Sequence, residues 1–273
     1  MSPQLSAAQA RQRAHMPQGT AAILDTRTLA TAHRRLAQLL RPGLTVLDVG
    51  CGTGAVTRGI AAAVAPEGLT VGLDIHAGLL ARACRGHGNV PGLAFILGDA
   101  YNLPCRGTFD VVTAARVLQW LADPLAALQA MCAGAKPGGY VVTLEYNHAQ
   151  IVWEPTPPLS MQHFYHAFLR WRADAGMDNT LADHLADLYA QCGLEDIVST
   201  PQHEVSSKHD PDFLTRLGLW AEVAASRGHQ MVADGILTET QRATAEAEYR
   251  AWVHDSAIAQ TMYLIAVEGR RPS

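Results

Sequence analysis

The chain is short of charge, short of lysine and without any paired cysteine motif, and each shortage excludes something. Only 17% of its 273 residues are charged and the net charge is −4, which offers no general attraction to nucleic acid or to an anionic membrane surface. Arg11, Arg13, Arg34, Arg35 and Arg41 are diluted through an ordinary polar helix pattern and do not form a nucleic-acid-binding arm. The five cysteines (Cys51, Cys84, Cys105, Cys132 and Cys192) contain no C-x-x-C, and none stands at zinc-ligand spacing from a histidine. No metal site is therefore expected, and scattered thiols suit a reducing compartment. No run approaches the roughly 18 uncharged apolar residues of a membrane span. Residues 1–18 lack the apolar block of a secretory signal. The expectation is a cytoplasmic protein with neither a nucleic-acid nor a membrane partner.

What is present is a globular composition, 48% apolar, in a length that suits one large domain or a core with embellishments. Leu29, Leu36, Ala37 and Leu40 share one helical face over 29–40, and Arg41-Pro42-Gly43 stops that helix. Apolar strands are then expected at Leu44–Val49, Leu69–Leu73, Leu93–Leu97, Phe109–Ala114 and Tyr140–Leu144. Helices are expected between them at Ala55–Val64, Gly78–Arg85 and from Asp123-Pro124 to about Ala133, where Asp caps and Pro opens the helix. Lys136-Pro137-Gly138-Gly139 reads as a turn. Non-alternating apolar strands separated by helices argue a parallel sheet covered on both faces.

After Glu145 the alternation breaks into the irregular, proline-rich NHAQIVWEPTPPLS. Met161, Phe164, Tyr165, Phe168 and Trp171 then form one helical stripe, and Leu181, Leu185, Leu188 and Tyr189 a second. A strand at Glu195–Thr200, helices around Phe213–Trp220 and Glu239–His254, and a last strand at Met262–Val267 complete the pattern.

The stretch VLDVGCGTG, Val46 to Gly54, carries the first chemical signal. Glycines after the first strand of a doubly wound sheet let a ligand approach the backbone at a helix N-terminus. Gly50, Gly52 and Ala55 satisfy a dinucleotide fingerprint, with Asp74 placed as its ribose acid, so a nicotinamide-dependent oxidoreductase stays open. Three features favour another ligand. Asp48, two residues before the first glycine, repels a pyrophosphate but accepts an ammonium group. Asp99 follows the third strand, placed for an exocyclic amine, and Gly54 extends the turn to G-x-G-x-G. Adenine, a ribose diol and a positive amine without phosphate fit this set. Each acid also has a plainer reading, Asp48 as a cap for turn amides and Asp74 and Asp99 as turn acids.

With VGLDIH, LGDAYNLPC, FDVVTAARVLQWLADP and AKPGGYVVTLE following in order, the chain from about Arg41 to Asn147 resembles the class I S-adenosylmethionine-dependent methyltransferases of the UbiE-like small-molecule type. That resemblance implies a Rossmann-like, doubly wound, mostly parallel seven-stranded α/β sheet with helical lid insertions. It implies S-adenosyl-L-methionine as cofactor and a small-molecule acceptor methylated on O, N or C. Gly50, Gly52 and Gly54 would line the methionine and ribose part, with Asp48 near the amine. Asp74 would take the ribose hydroxyls and Ile75 pack on adenine, while Asp99 and the Ala100 backbone would bind the adenine amine. Arg116 would lie beside the methionine tail, a salt-bridge role being equally open, and Arg27 would reach the cofactor carboxylate. Relatives often carry His where this chain has Gln119, so nothing catalytic is expected there. A non-methylating protein that binds the same cofactor is a further alternative.

Positions after the fifth strand face the methyl group in such an architecture, which makes His148, Glu145 and Tyr146 the catalytic candidates, His148 as base and Glu145 as an orienting group. Trp153, His163, Tyr165 and His166 are the candidates for acceptor contact, with His15 closing from the N-terminal side. The aromatic stripe reads equally as helix-packing core. The expected organisation is an N-terminal helical cap (1–40), a cofactor-binding core (41–148), a helical lid (149–192) and a C-terminal completion of the sheet (193–273).

Overall fold

The strands expected from apolar runs assemble into one twisted sheet in the computed structural model, which describes residues 7–14 and 24–273. His15 lies outside the described residues. The helices and strands in chain order are α1 (Ala7–Ala14), α2 (Leu29–Ala32), α3 (Arg34–Leu39), β1 (Thr45–Val49), α4 (Ala55–Val64), β2 (Leu69–Asp74), α5 (Ala77–His87), β3 (Leu93–Leu97) and β4 (Phe109–Ala115). After a short 3₁₀ turn at Leu118–Trp120 come α6 (Pro124–Gly134), β5 (Ala135–Glu154), α7 (Leu159–Asp174), α8 (Leu181–Gln191), β6 (Glu195–Pro201), β7 (Glu204–Ser207), α9 (Phe213–Leu217), α10 (Leu219–Ala233), α11 (Glu239–Asp255) and β8 (Ala259–Arg270).

The sheet order is β3-β2-β1-β4-β5-β8-β6, with β7 also pairing β8. Neighbours from β3 to β5 run parallel, and β8 runs antiparallel to β5, β6 and β7. Among the described residues the strands number eight, one more than expected, because the partner along the outer edge of β8 is broken between Pro201 and Glu204 into β6 and β7.

Three further differences matter for the site. The single helix expected over 29–40 is two, broken at His33 with φ −150° and ψ 66°. Leu29 and Leu36 still pack on the sheet, and the break buries the His33 imidazole. Strand β5 does not end at Leu144 but runs to Glu154, because β8 pairs with it as far as Glu154–Ala259 across a bulge between Asn147 and Val152. Pro155, which has no N–H to give a ladder, follows its last residue. Lys136–Gly139 falls within β5, its backbone tied to Arg271 at Gly138 and Gly139, although Gly138 does take the positive φ (+73°) expected of a turn.

Each face of the sheet has its own core. Val46, Val111 and Val142 pack under Leu29, Leu36, Ile60 and Val64 from α2, α3 and α4. Leu47, Val112 and Val141 pack on the other side against α6 and α8. Leu181, Leu185 and Tyr189, expected with the lid, belong to this second core, and the Tyr189 hydroxyl donates at 2.9 Å toward Thr143 and Val267 of the sheet. A third cluster joins α7, α9, α10 and α11 to the upper ends of β5 and β8. The cap is therefore α7 with the C-terminal helices, and α8 is part of the sheet's own cover.

Candidate active site

The glycine turn binds itself before it can bind anything else. The amides of Gly50 and Cys51 both donate to Leu73 O, at 2.7 and 3.0 Å, and Gly54 N donates to Cys51 O at 2.9 Å. Gly52 N donates to Asp74 Oδ2 at 2.8 Å, while Asp74 Oδ1 accepts from His76 N at 2.8 Å. A phosphate cradle needs turn amides that are free; here four are spent on the protein. Gly50 must be glycine because its φ is +73° and a Cβ would stand 2.4 Å from Val117. Gly54, expected to line the ligand, is not part of the wall of the cavity beside the turn: a Cβ there would meet Phe95 at 2.7 Å.

Beside the turn lies a cavity of about 280 Å³ at the carboxyl ends of β1, β2, β3 and β4. Asp48, Gly50, Gly52, Asp74, Ile75, Asp99, Ala100, Arg116 and Arg27 all line it. Burial pushes the Asp48 carboxyl up to about 7, against the lowering effect of Thr57 Oγ1, which donates to it at 2.7 Å; Asp74 adds to the rise. Asp99 closes a turn by accepting from Tyr101 N at 3.0 Å. Ile75 is 60% exposed, an apolar side chain left open at the rim beside Asp74.

The two arginines of the cavity differ. Arg116 takes φ +62° and is locked: Nε donates to the Tyr146 hydroxyl at 3.0 Å, Nη1 to Ala32 O at 3.1 Å, and Nη2 pairs with Glu204. That partner set raises its pKa in spite of burial. The Arg27 guanidinium has no hydrogen-bond or ion-pair partner among the described residues, and burial followed by repulsion from Arg116 lowers its pKa. It is a cation left open at the cavity wall.

The three catalytic candidates on β5 line a different story. Glu145 is fully buried, and its carboxylate accepts from the amides of Val117, Leu118 and Gln119 at 2.9, 2.8 and 3.4 Å. Burial raises its pKa to about 7 against those amides. The Tyr146 hydroxyl takes the Arg116 bond and donates to Glu204 Oε2 at 3.1 Å. His148, buried at the β5 bulge, has Nε2 2.5 Å from Gln119 Oε1, and burial and then Arg172 depress its pKa. None of the three lines the cavity. Each holds a residue of the segment 116–119, which leads into Trp120, and Trp120 does line the cavity.

The acceptor candidates fall elsewhere too. His163 and His166, three residues apart and so on one face of α7, are both exposed. Trp153 and Tyr165 are packed ring against ring with Trp220, at centroid distances of 4.7 to 6.4 Å, in the cap core. The stripe is helix packing. Large side chains that do line the cavity include Tyr101, Trp120 and Leu121, in the loops after β3 and β4. Their signal in the sequence was position: large apolar side chains just beyond strand ends, where a doubly wound fold puts its ligand. On the far side of Trp120, Arg172 and Arg227 lie over its ring at 4.5 and 3.9 Å. Among the described residues no cluster of three metal-ligating side chains occurs, and no helix is long and apolar enough to cross a membrane.

A family model described as a methyltransferase domain matches residues 47–143. The demethylmenaquinone methyltransferase of Shouchella clausii is 32% identical over 178 residues, 58% of this chain and 73% of that protein. The ubiquinone/menaquinone biosynthesis C-methyltransferase UbiE of Burkholderia vietnamiensis is 41% identical over 119 residues, 42% of this chain and 47% of that protein, so the chain covers about half of that relative. In overall fold the chain is similar to the [4+2]-cyclase SpnF, with TM-score 0.53 and 23% identity over 91% of this chain and 85% of that one. It is similar as well to phosphoethanolamine N-methyltransferase 2 of Haemonchus contortus in complex with S-adenosyl-L-methionine, with TM-score 0.53 and 17% identity over 90% of this chain and 52% of that one. These structures share the fold, and the sequence relatives carry the family. The chain belongs to the class I S-adenosylmethionine-dependent methyltransferases, enzymes whose cofactor is S-adenosylmethionine.

Proposed function

We propose that the cavity at the ends of β1 to β4 is the cofactor site and that the enzyme methylates a small, flat, largely apolar molecule received beside Trp120. The observation that carries the first part is the closed glycine turn. With the amides of Gly50, Cys51, Gly52 and Gly54 already donating within the protein, a pyrophosphate would find no cradle and would face the Asp48 side. That argues against a nicotinamide dinucleotide and for a cationic adenosine compound without phosphate.

The groups present suit such a compound piece by piece. Arg27, whose guanidinium has no hydrogen-bond partner among the described residues, offers it to a carboxylate, and Asp48 offers an acceptor to an ammonium. Asp74 keeps unused lone pairs for ribose hydroxyls, Ile75 gives adenine an apolar surface, and Asp99 with the Ala100 backbone meets the adenine amine. Arg116 acts by position, holding Ala32 and Tyr146 together. When bound, S-adenosylmethionine supplies a methyl group already activated on sulfonium, so the chain's own task is orientation.

Orientation on the acceptor side falls to Trp120, Tyr101 and Leu121. Glu145, Tyr146 and His148 act as positioning residues that fix the segment carrying Trp120 and do not touch the acceptor. The cap of α7 and α9–α11 backs that segment. A flat apolar acceptor is a class that includes the quinones for which the two relatives are named. Five free cysteines suit a cytoplasmic setting, and a net charge of −4 favours a small molecule over nucleic acid as acceptor.

Calorimetric titration of the full chain with adenosylhomocysteine and with NAD⁺ tests the cofactor half of this reading. Adenosylhomocysteine is expected to bind and NAD⁺ to give no heat; the reverse would overturn it. Transfer of labelled methyl to a panel of quinols, phenols and aliphatic amines tests the other half, with Trp120→Ala expected to reduce transfer at least tenfold while leaving adenosylhomocysteine affinity within about twofold. Transfer that favours the aliphatic amines, or that survives Trp120→Ala, would sink it.

A further inference from the structure

His33 is the residue at which the helix expected over 29–40 breaks, and its side chain is turned inward. It is 1% exposed and lines the cavity. Its Nε2 stands 3.4 Å from Thr113 Oγ1, and its Nδ1 has no partner among the described residues. A buried polar atom left without a partner is costly to the fold. A lone pair kept at that cost on a cavity wall points to a ligand.

The sheet says which end of the ligand. Thr113 is the register partner of Asp48 across β1 and β4, so both side chains rise from the same face. One step before them, the same face carries Val46 and Val111, sealed by Leu36 and Ile60. At the level of Asp48 and Thr113 the layer turns polar: Asp48, Thr57, Thr113 and His33. Burial and the neighbouring Arg116 hold the His33 pKa down at about 3, so the imidazole is neutral and able to accept. With Nε2–H turned to Thr113, the free Nδ1 presents a lone pair. Acceptors therefore gather at Asp48 and His33, and an open cation stands at Arg27 on the same cavity. That is the complement of a zwitterion, an ammonium beside a carboxylate.

We propose that His33 Nδ1 accepts a hydrogen bond from the α-ammonium group of the cofactor's amino-acid head, making His33 a cofactor-positioning residue. The inference rests on the reading of this cavity as the cofactor site. The helix break between α2 and α3 then has a purpose: it turns His33 in toward the head group while Leu29 and Leu36 stay in the core.

The test compares ligands that differ only at the head. Adenosylhomocysteine carries the ammonium and carboxylate, its des-amino analogue only the carboxylate, and 5′-methylthioadenosine neither. Binding to the full chain is measured by calorimetry for the wild type, His33→Leu and His33→Gln. In His33→Leu, adenosylhomocysteine is expected to weaken about tenfold or more, with 5′-methylthioadenosine unchanged within twofold. His33→Gln, which keeps an acceptor, is expected to recover part of the loss. Equal weakening of both ligands would mean a structural role, and no weakening would mean no role; either overturns the proposal. Should His33→Leu not fold, the comparison rests on His33→Gln and on the wild type, which is expected to prefer adenosylhomocysteine over the des-amino analogue at least tenfold. Absence of that preference overturns the proposal as well. Failure of the wild type to bind adenosylhomocysteine at all would instead remove the cofactor reading beneath it.

Discussion

The polar side chains of the cavity wall and those beneath the cap differ in how firmly each is tied into the protein. Around the cavity at the ends of β1 to β4, and among the described residues, the Arg27 guanidinium has no hydrogen-bond or ion-pair partner, His33 keeps one ring nitrogen unbonded, and Asp48 has Thr57 as its one side-chain partner. Under the cap, Glu145 satisfies three amides, Tyr146 two charged groups, and Arg172 donates to Asn179 at 2.8 Å and to Gln119 O at 2.9 Å. Unbonded atoms occur under the cap as well, at His148 Nδ1 and Arg172 Nη1, but each of those side chains is fixed by another bond, whereas Arg27 has no side-chain bond among the described residues. The difference separates contact residues from positioning residues, and every prediction below either breaks that division or sharpens it.

The largest effect is expected from Glu145→Ala. It leaves the amides of Val117, Leu118 and Gln119 without their acceptor, those of Leu118 and Gln119 in buried bonds. At about 1–3 kcal/mol for each buried unsatisfied donor, stability should fall by about 3 kcal/mol or more. Thermal unfolding should drop by roughly 6–12 °C, at about 2–4 °C per kcal/mol for a chain of this size. A variant that unfolds with the wild type but loses activity would make Glu145 a contact residue and erase the division.

Next comes Asp74→Ala. Its carboxylate pins Gly52 and His76 and faces the cavity, so adenosylhomocysteine affinity should fall roughly ten- to a hundredfold in calorimetry. Asp234→Asn, in the cap, alters an acid bonded to Arg13 and Trp171 and should leave that affinity within about twofold. Comparable losses in both would mean that cofactor affinity is set by the whole fold and not by the cavity wall.

This division also explains what the sequence made legible. The cofactor half is written locally: a strand, three glycines and an acid at each strand end stand within a few residues of one another, and nine of the ten residues expected there line the cavity. Gly54 was the exception, because its contact, Phe95, lies 41 positions away and no local pattern carries it. The cap half is written in long-range pairs. Trp153 meets Tyr249 at a separation of 96 residues, and His148 meets Gln119 at 29. Helical periodicity finds an inward face on α7 but not what that face meets, so an aromatic core read equally as a pocket. The extension of β5 was hidden for the same reason, since its partner β8 lies over a hundred residues downstream.

A moderate effect is expected with pH, and its sign depends on which groups are open. Burial raises Asp48 from 3.8 and Glu145 from 4.5, both to about 7. Their unfavourable burial grows as they ionise, so their contribution to stability is best below the unfolded value and is lost as pH rises to about 7. His33 falls from 6.5 to about 3 and His148 falls well below 6.5. Those two contribute fully above 6.5 and lose stability as pH falls below it. Over pH 5–6.5 the two pairs oppose, and the wild type should vary little. Asp48→Asn removes one acid from the balance. Relative to the wild type it should lose stability on acidification from pH 7 to 5, by about 1 kcal/mol per pH unit in denaturant titrations. Parallel profiles for the two proteins would mean that Asp48 is ionised in the apo fold.

The smallest effects are expected on the outer face of α7. His163 and His166 are both exposed, one on each side of Tyr165, whose hydroxyl donates to His148 O at 2.6 Å inside the cap. Replacing either histidine by alanine removes no buried contact, so unfolding free energy should move by less than about 0.5 kcal/mol. Because neither reaches the cavity, kcat/KM and its pH profile should also be unchanged. Tyr165→Phe offers the contrast one residue away, with a cost of about 1 kcal/mol for its lost hydrogen bond. A tenfold loss of kcat/KM in His163→Ala or His166→Ala, with Tyr165→Phe silent, would place the acceptor on the outside of α7. The cap would then be a binding surface, and the closed polar groups beneath it would have to be explained by something other than holding Trp120.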